Sequence, residues 1–221
     1  GNILLLVCSL LLIIPDPCGK IKLLKYKGYR MNEAEILAVA NLVMKLKTVP
    51  RTGWVRDGVN PAESVADHSY GVALLAMLIS PYFDVDSSKV IAMALIHDLA
   101  EAKVGDIVTQ RGRDTLSHQD DKLTKERSAF NEIFEPIGMQ SYVDLFDEYL
   151  KNESPEAKLV HQIDKLEMAI QAGAYRKQIG LDLDEFFHNA NMHIVEDSLK
   201  NVLIKADQES KKTTKLIVVI P

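Results

Sequence analysis

Between Val90 and Ala100 every residue is apolar except His97 and Asp98. An apolar run of that length reads as a helix buried nearly all round. An unpaired carboxylate inside it would cost on the order of several kcal/mol. A compensating positive charge must therefore meet Asp98, and the imidazole beside it suggests a metal ion. At ~100° per residue, Glu101 falls one turn beyond His97 and angularly between His97 and Asp98. Three polar heads converge on one side of an otherwise apolar helix, which marks a site rather than a solvated face. The competing reading of His97 alone is a core histidine satisfied by its neighbours.

A second inward histidine comes from the preceding helical stretch. Val65, His68, Val72, Leu75 and Ile79 fall on one helical stripe, with Pro81 as the stop. Two starts compete for this helix: Asn60-Pro61-Ala62-Glu63 places Pro at the first helical position, and Ser64-Val65-Ala66-Asp67 offers a capping box. A Ser87 or Asp86 cap starts the His97-Asp98 helix, which is expected to end near Lys103 with Gly105 beyond it. Upstream, Asn32 caps a helix from about Glu33 to Lys47 with a stripe of Ile36, Val39, Ala40, Val43, Met44 and Leu46. Thr48 to Gly58 reads as a loop by its Pro and Gly content; it holds the only tryptophan, Trp54, with Arg51 and Arg56, and on their own these read as an apolar lid over the core and solvated surface arginines.

Downstream, Asp106 and Ile107 follow Gly105 in a loop, and Gln110 to Ser117 is polar. Helices are expected at about Gln119–Glu135, Gln140–Leu150, Pro155–Gln178 and Asp184–Glu209. In the third, Leu159, Ile163, Leu166 and Ile170 form the stripe and Asp164 sits beside it. Periodicity alone reads Asp164 as a surface partner for neighbouring Lys or Glu; an acid there can also reach inward. Strand periodicity is confined to the Leu216–Ile220 tail, so the domain is all-α.

Length and composition set outer bounds. The 221 residues suit one sizeable domain with tails, and 47% hydrophobic with 26% charged is ordinary for a globular protein. A net charge of −5 argues against a nucleic-acid backbone as partner. Cys8 and Cys18 form no CxxC and no disulfide framework, which suits a reducing cytoplasm. The apolar run Ile3–Ile14 is too short to span a bilayer. It reads as part of a non-catalytic extension over residues 1–30, with a signal-peptide core and an interfacial anchor as competing readings. The domain then occupies residues 31–210, and 211–221 is a tail.

Taken together, His68, His97, Asp98 and Asp164 are imidazoles and carboxylates without a thiolate. That donor set suits Mn²⁺, Fe²⁺, Co²⁺, Ni²⁺ or Zn²⁺, and Mg²⁺ belongs in any comparison. The H…HD…D spacing, with Arg51-Thr-Gly-Trp54, Glu63-Ser-Val-Ala-Asp-His68, Leu95-Ile-His97-Asp98-Leu-Ala-Glu101 and Val104-Gly-Asp106-Ile107, resembles the HD-domain phosphohydrolases. Within them it is similar to the small 5′-deoxynucleotidases, over about Met31 to Asp184. The resemblance implies a helical bundle with a divalent cation held between helices by His68, His97, Asp98 and Asp164. Glu101 and Asp106, with the Ile107 carbonyl, are implied at a second-metal or catalytic-acid position. Arg51 is implied in orienting phosphate and Trp54 in packing against the sugar; a homodimer is implied as well.

The expected reaction is hydrolysis of (deoxy)nucleoside 5′-monophosphates, with Asp106 or Glu101 orienting water or protonating the leaving 5′-oxygen. Two other readings compete. One is an HD phosphohydrolase acting on nucleoside triphosphates or alarmones, against which stands a basic cluster limited to Arg51, Arg56, Lys103, Arg111 and Arg113. The other is a non-catalytic nucleotide-binding module, against which stands the complete ligand set.

Overall fold

The computed structural model describes residues 12–15, 21–24, 33–107, 116–135 and 137–212. The chain divides into two compact units, residues 1–38 and 39–221. The first contains an antiparallel hairpin of β1 (Leu12–Pro15) and β2 (Ile21–Leu24), with Leu12 opposite Leu24 and Pro15 opposite Ile21. No strand was expected here. The β-branched Ile13, Ile14 and Ile21, on either side of a Pro- and Gly-containing segment, favour pairing over a continuous apolar run. The Asn32 cap, the basic residues Arg111 and Arg113, and the Leu216–Ile220 tail lie outside the described residues.

The second unit is all-α, as expected. Its first long element, α1 (Glu33–Leu46), begins in the first unit. Only Leu46 of α1 is buried, with Val39 and Leu42 partly covered, whereas Ile36, Val43 and Met44 stay exposed. The inward stripe is therefore Val39, Leu42 and Leu46, and the broader stripe expected from sequence is corrected. The segment expected as a loop contains the short α2 (Thr52–Arg56). Its flanks pair with the strand-like approach to the next helix: Arg51 N–H donates to Glu63 O at 3.0 Å, and Val65 N–H to Val49 O at 2.8 Å.

Helix α3 (Val65–Ile79) starts at the second of the two competing caps. Ser64 accepts from Asp67 N–H at 3.2 Å while Asp67 accepts from Ser64 N–H at 2.9 Å, a complete capping box. A 3₁₀ turn, Ser80–Tyr82, follows. Asp86 then caps α4 (Ser87–Ile96) by accepting from the amides of Ser88 and Lys89.

The helix expected to run on to Lys103 instead breaks at His97. Residues 97–100 form a turn, and α5 is the short Glu101–Val104. Through this turn the hydrogen bonds close three residues apart, Leu99 to Ile96 and Glu101 to Asp98, both at 3.0 Å. The Ala94 carbonyl receives the His97 ring instead, with Nδ1 2.7 Å away, which loosens the regular ladder at this step. Gly105 ends α5 at φ +78°, a conformation that costs other residues a clash.

Beyond lie α6 (Leu116–Phe134), α7 (Gln140–Lys151) and α8 (Pro155–Ile179), then α9 (Asp184–His193) and α10 (Asp197–Lys211). The last two were expected as one helix. Gln162 of α8 explains the break: its Oε1 accepts from Val195 N–H at 2.8 Å and Glu196 N–H at 2.9 Å. Those amides are thereby satisfied without a helical partner, and Ile194 turns into the core. Ser154 and Pro155 start α8 as the cap rules require. The 25-residue α8 is the spine, packing against α3, α4, α7, α9 and α10. On it Leu159, Val160, Ile163, Leu166 and Ala169 are buried while Ile170 is 37% exposed, so the inward stripe runs slightly off the expected one. Among the described residues, no helix is long and apolar enough to cross a membrane.

The capping box yields a stability prediction. Replacing Ser64 with Ala removes one arm of it and is expected to cost about 1 kcal/mol. Urea unfolding of chelated protein checks this: the midpoint falls while the m-value is unchanged.

Candidate metal centre and active site

The turn after α4 points His97 inward, α3 supplies His68 one turn from its capped N-terminus, and α8 supplies Asp164. All three are buried, and one ligand atom from each lies within 4.8 Å of the others. Asp164 therefore belongs to the interior and not to a solvated face. The reason is the shift of the α8 stripe toward Val160 and Ile163.

Each imidazole is oriented by an acceptor on its far nitrogen. His97 Nδ1–H donates to the Ala94 carbonyl at 2.7 Å, and His68 Nδ1 lies 2.6 Å from Glu167 Oε2. Both Nε2 atoms consequently point at the shared space, buried and without a hydrogen-bond partner. His68 Nε2 sits 3.1 Å from Asp164 Oδ1, close but without hydrogen-bond geometry. Two imidazole Nε2 atoms beside a carboxylate, with no thiolate, fit a divalent cation. Those orphaned buried atoms are what a bound ion would satisfy.

Asp98 stands at the edge of this group. Its Oδ2 is 3.3 Å from His97 Nε2, 3.8 Å from His68 Nε2 and 3.1 Å from Arg51 Nη1. It thus links the candidate ligand group to Arg51. Burial would raise the Asp98 carboxyl, but His97, Arg51 and His68 together hold it far below the usual carboxylate range. Burial likewise opposes the charge on Arg51, and Asp98, Asp106 and Asp164 overcome it, so the guanidinium stays charged. For Asp164, Lys165 and His68 outweigh burial and keep the carboxylate ionised. His68 loses protons less readily than usual: burial and Arg51 pull it down, but Asp164 and Glu167 push it up to about 9.

Arg51, His97, Asp98 and Asp164 line a cavity of about 610 Å³, with His68 buried behind them. Glu101, Asp106 and Ile107 line it but add no ligand atom to the group of three among the described residues. Glu101 is almost fully buried, its Oε2 has no partner, and Lys122 Nζ is 3.9 Å from Oε1. Burial, with Asp98 and Asp106 nearby, pushes its carboxyl up to about 10, so it keeps its proton at neutral pH in the cation-free site. Asp106 has a different occupation. Its Oδ2 accepts from Thr52 N–H at 2.6 Å and its carbonyl from Thr52 Oγ1–H at 2.8 Å, which pins the start of α2 and hence Arg51.

Trp54 is core first, as the residue alone suggests, rather than the open sugar contact that the resemblance implies. It is 1% exposed, with Phe186 at 4.1 Å and Tyr175 at 5.4 Å between ring centroids, and its Nε1–H donates to Glu63 Oε1 at 2.8 Å. Trp54 is among the residues lining the cavity, but its ring is enclosed by Tyr175 and Phe186. The ring is large and apolar, and the core claims it first.

Sequence reasoning missed Glu167 and Lys122. Glu167 had a signal: it follows Asp164 by three positions, on the same face of α8. Lys122 is half-buried, 3.4 Å from Glu126 Oε1, in a helix whose composition reads as solvated, and nothing local distinguishes it.

Residues 43–203 match the family model of the HD domain, and the chain belongs to that family. A zebrafish (Danio rerio) protein named 5′-deoxynucleotidase HDDC2 is 40% identical over 157 residues, covering 69% of this chain and 76% of its own. A Dictyostelium discoideum protein of the same name is 33% identical over 182 residues, 76% and 94% of the two chains. Among solved structures, one from Pyrococcus horikoshii OT3 has 34% identity and a TM-score of 0.64, covering 80% of this chain and 99% of its own. Another, from Magnetospirillum magnetotacticum and described as a predicted metal-dependent phosphohydrolase, has 25% identity and a TM-score of 0.58 over 80% and 92%.

The His97→Ala chain should purify without a divalent cation and keep its helical circular dichroism, since the helices around it retain their caps and the rest of their core. Elemental analysis checks the first point, and stoichiometric metal would contradict the assignment. Proton linkage gives a second expectation. Below about pH 9 the cation-free His68 carries the proton that a cation must displace. Metal affinity should therefore rise with pH up to about 9, with proton release at pH 7.5 seen by calorimetry in buffers of different ionisation enthalpy.

Proposed function

We propose that this chain hydrolyses the phosphate ester of deoxynucleoside 5′-monophosphates, using one divalent cation held by His68, His97 and Asp164 with Asp98 at its edge. The observation that carries this reading is the pair of buried Nε2 atoms without a hydrogen-bond partner beside Asp164, with His97, Asp98 and Asp164 lining the same cavity as Arg51. The names of the zebrafish and Dictyostelium relatives support the substrate class. The donor set supports Mn²⁺, Fe²⁺, Co²⁺, Ni²⁺ or Zn²⁺.

A phosphomonoester dianion repels nucleophiles, and its uncatalysed hydrolysis is among the slowest known reactions. A divalent cation, when bound, supplies Lewis-acid polarisation of the phosphoryl group and water acidic enough to attack at neutral pH. The remaining work falls to side chains of this chain. Arg51 has one Nη committed to Asp98 at 3.1 Å, leaving further N–H donors of its planar fork for phosphoryl oxygens. Asp106, by holding Thr52, fixes where that fork points. Glu101 lines the cavity with a buried, partnerless Oε2 and is the group that hands a proton to the leaving 5′-oxygen. Asp98, ionised between Arg51 and the imidazoles, keeps the phosphate-binding cation and the metal-binding group in register.

The setting follows the same reasoning. We place the reaction in the cytoplasm, consistent with a sequence of only two cysteines, Cys8 and Cys18, in no CxxC spacing. The assembly we propose is a homodimer, supported by the apolar residues Tyr70, Leu74, Met77 and Leu78 exposed along α3.

A phosphate-release screen of deoxy- and ribonucleoside monophosphates, run with Mn²⁺, Co²⁺, Mg²⁺ and Zn²⁺, tests the reaction. Turnover of dAMP well above dATP is the expected result; preference for dATP would point to triphosphate chemistry instead. Removing Arg51 should leave metal content intact and cut turnover ~10²–10³-fold, the cost of one charge-assisted contact to developing charge. Arg51→Lys should recover only part, because an ammonium keeps the charge and loses the fork. Arg56→Ala should be close to wild type. A crippled Arg56→Ala beside a normal Arg51→Ala would reverse the two assignments.

A further inference from the structure

The group behind His68 is not explained by metal ligation or by substrate contact. Glu167 projects from α8 one turn after Asp164, so one helix supplies both a ligand and the carboxylate facing a second ligand's far nitrogen. Its Oε2 is 2.6 Å from His68 Nδ1, and its side chain is 12% exposed. At that distance Nδ1 carries the hydrogen, which leaves Nε2 as the donor atom.

Space for this carboxylate is made by a particular residue. Gly71 lies three positions after His68 on α3, and a Cβ built there would come 2.5 Å from Glu167 Oε1 and 3.1 Å from its Cδ and Cγ. Gly71 has no positive φ to justify glycine, and in a helix interior alanine would otherwise be preferred. The absent methyl is therefore room for Glu167. The carboxylate of Glu63 also lies within 4.8 Å of these atoms, and it receives the Trp54 indole N–H at 2.8 Å. A cation bound by Glu63, His68 and Glu167 would need Nδ1 as a ligand, which the 2.6 Å contact already uses.

We propose that Glu167 is a positioning residue for the metal centre. Seated in the gap left by Gly71, it fixes the ring and tautomer of His68 and raises the donor strength of Nε2. It touches neither substrate nor cation. The inference rests on the metal-binding reading of His68, His97 and Asp164, and it deepens that reading.

The test is calorimetric titration of the full chain, stripped by chelation, with MnCl₂. Thermal unfolding of the stripped protein serves as the fold control. Glu167→Gln keeps the shape of the side chain and removes its charge, so Mn²⁺ affinity should fall 10–100-fold, while the stripped chain, with a lower midpoint because His68 loses a charge partner, stays folded at the titration temperature. Gly71→Ala should weaken Mn²⁺ binding in the same way, by displacing the carboxylate. Gly71→Ala/Glu167→Gln should bind no more weakly than Glu167→Gln alone, since both act on one contact. A folded Glu167→Gln chain with wild-type affinity overturns the proposal. If Glu167→Gln does not fold, Gly71→Ala decides: weakened binding supports the proposal and wild-type binding overturns it. A wild-type chain that binds no Mn²⁺ overturns both this inference and the metal reading beneath it. Tight Mn²⁺ binding without nucleotide turnover removes only the proposed substrate and leaves the role of Glu167 standing.

Discussion

Two buried imidazoles whose Nδ1 atoms are already engaged set the terms for the rest of this molecule. His97 is held by the Ala94 carbonyl and His68 by Glu167, so both Nε2 atoms point at one small volume beside Asp164. Burying polar atoms without partners is costly, by roughly 1–3 kcal/mol each. A fold retains such atoms where a ligand completes them. The surrounding helices are arranged to keep that volume fixed: α3 starts at a full capping box just before His68, α4 ends at the turn that aims His97, and α8 packs against both.

The electrostatics follow from the same constraint. With Asp98, Asp164, Glu167, Glu101 and Asp106 gathered around the imidazoles, the site carries more acids than its buried cations match. In the cation-free protein the imbalance is relieved by protons: His68 is pushed up to about 9 and Glu101 to about 10. Those protons stand where a divalent charge would serve better. Arg51 completes the arrangement through Asp98, and Asp106 holds the backbone at Thr52 that carries Arg51. A mutation at Asp106 is thus read through Arg51, although Asp106 lies in the cavity wall itself.

Much of this was legible in the sequence where the cause is local. Ser64, Asp86 and Ser154-Pro155 start their helices because a side-chain oxygen or a preset φ acts on the next few residues. The H…HD…D spacing carried the family, and His68, His97 and Asp164 do meet in space. What could not be read depends on partners distant in sequence. The division of α9 from α10 depends on Gln162, more than thirty positions away. The inward turn of Asp164 depends on where α8 places its stripe against α3 and α4, and Ile170 shows how a small rotation changes which flank is wet. Trp54 on its own reads as an apolar lid over the core, and that reading holds, but the rings that enclose it, Tyr175 and Phe186, lie far along the chain and could not be read. Glu167 has meaning only once Gly71 is seen across the helix interface.

The central claim is that His68 Nε2, His97 Nε2 and Asp164 share one divalent cation. Anomalous diffraction from Mn²⁺-loaded crystals addresses it most directly. The account predicts a peak at coordination distance, about 2.0–2.2 Å, from both Nε2 atoms and an Asp164 oxygen, with Glu167 still on His68 Nδ1. A peak held through His68 Nδ1, or well-ordered imidazoles with no peak between them, would contradict it.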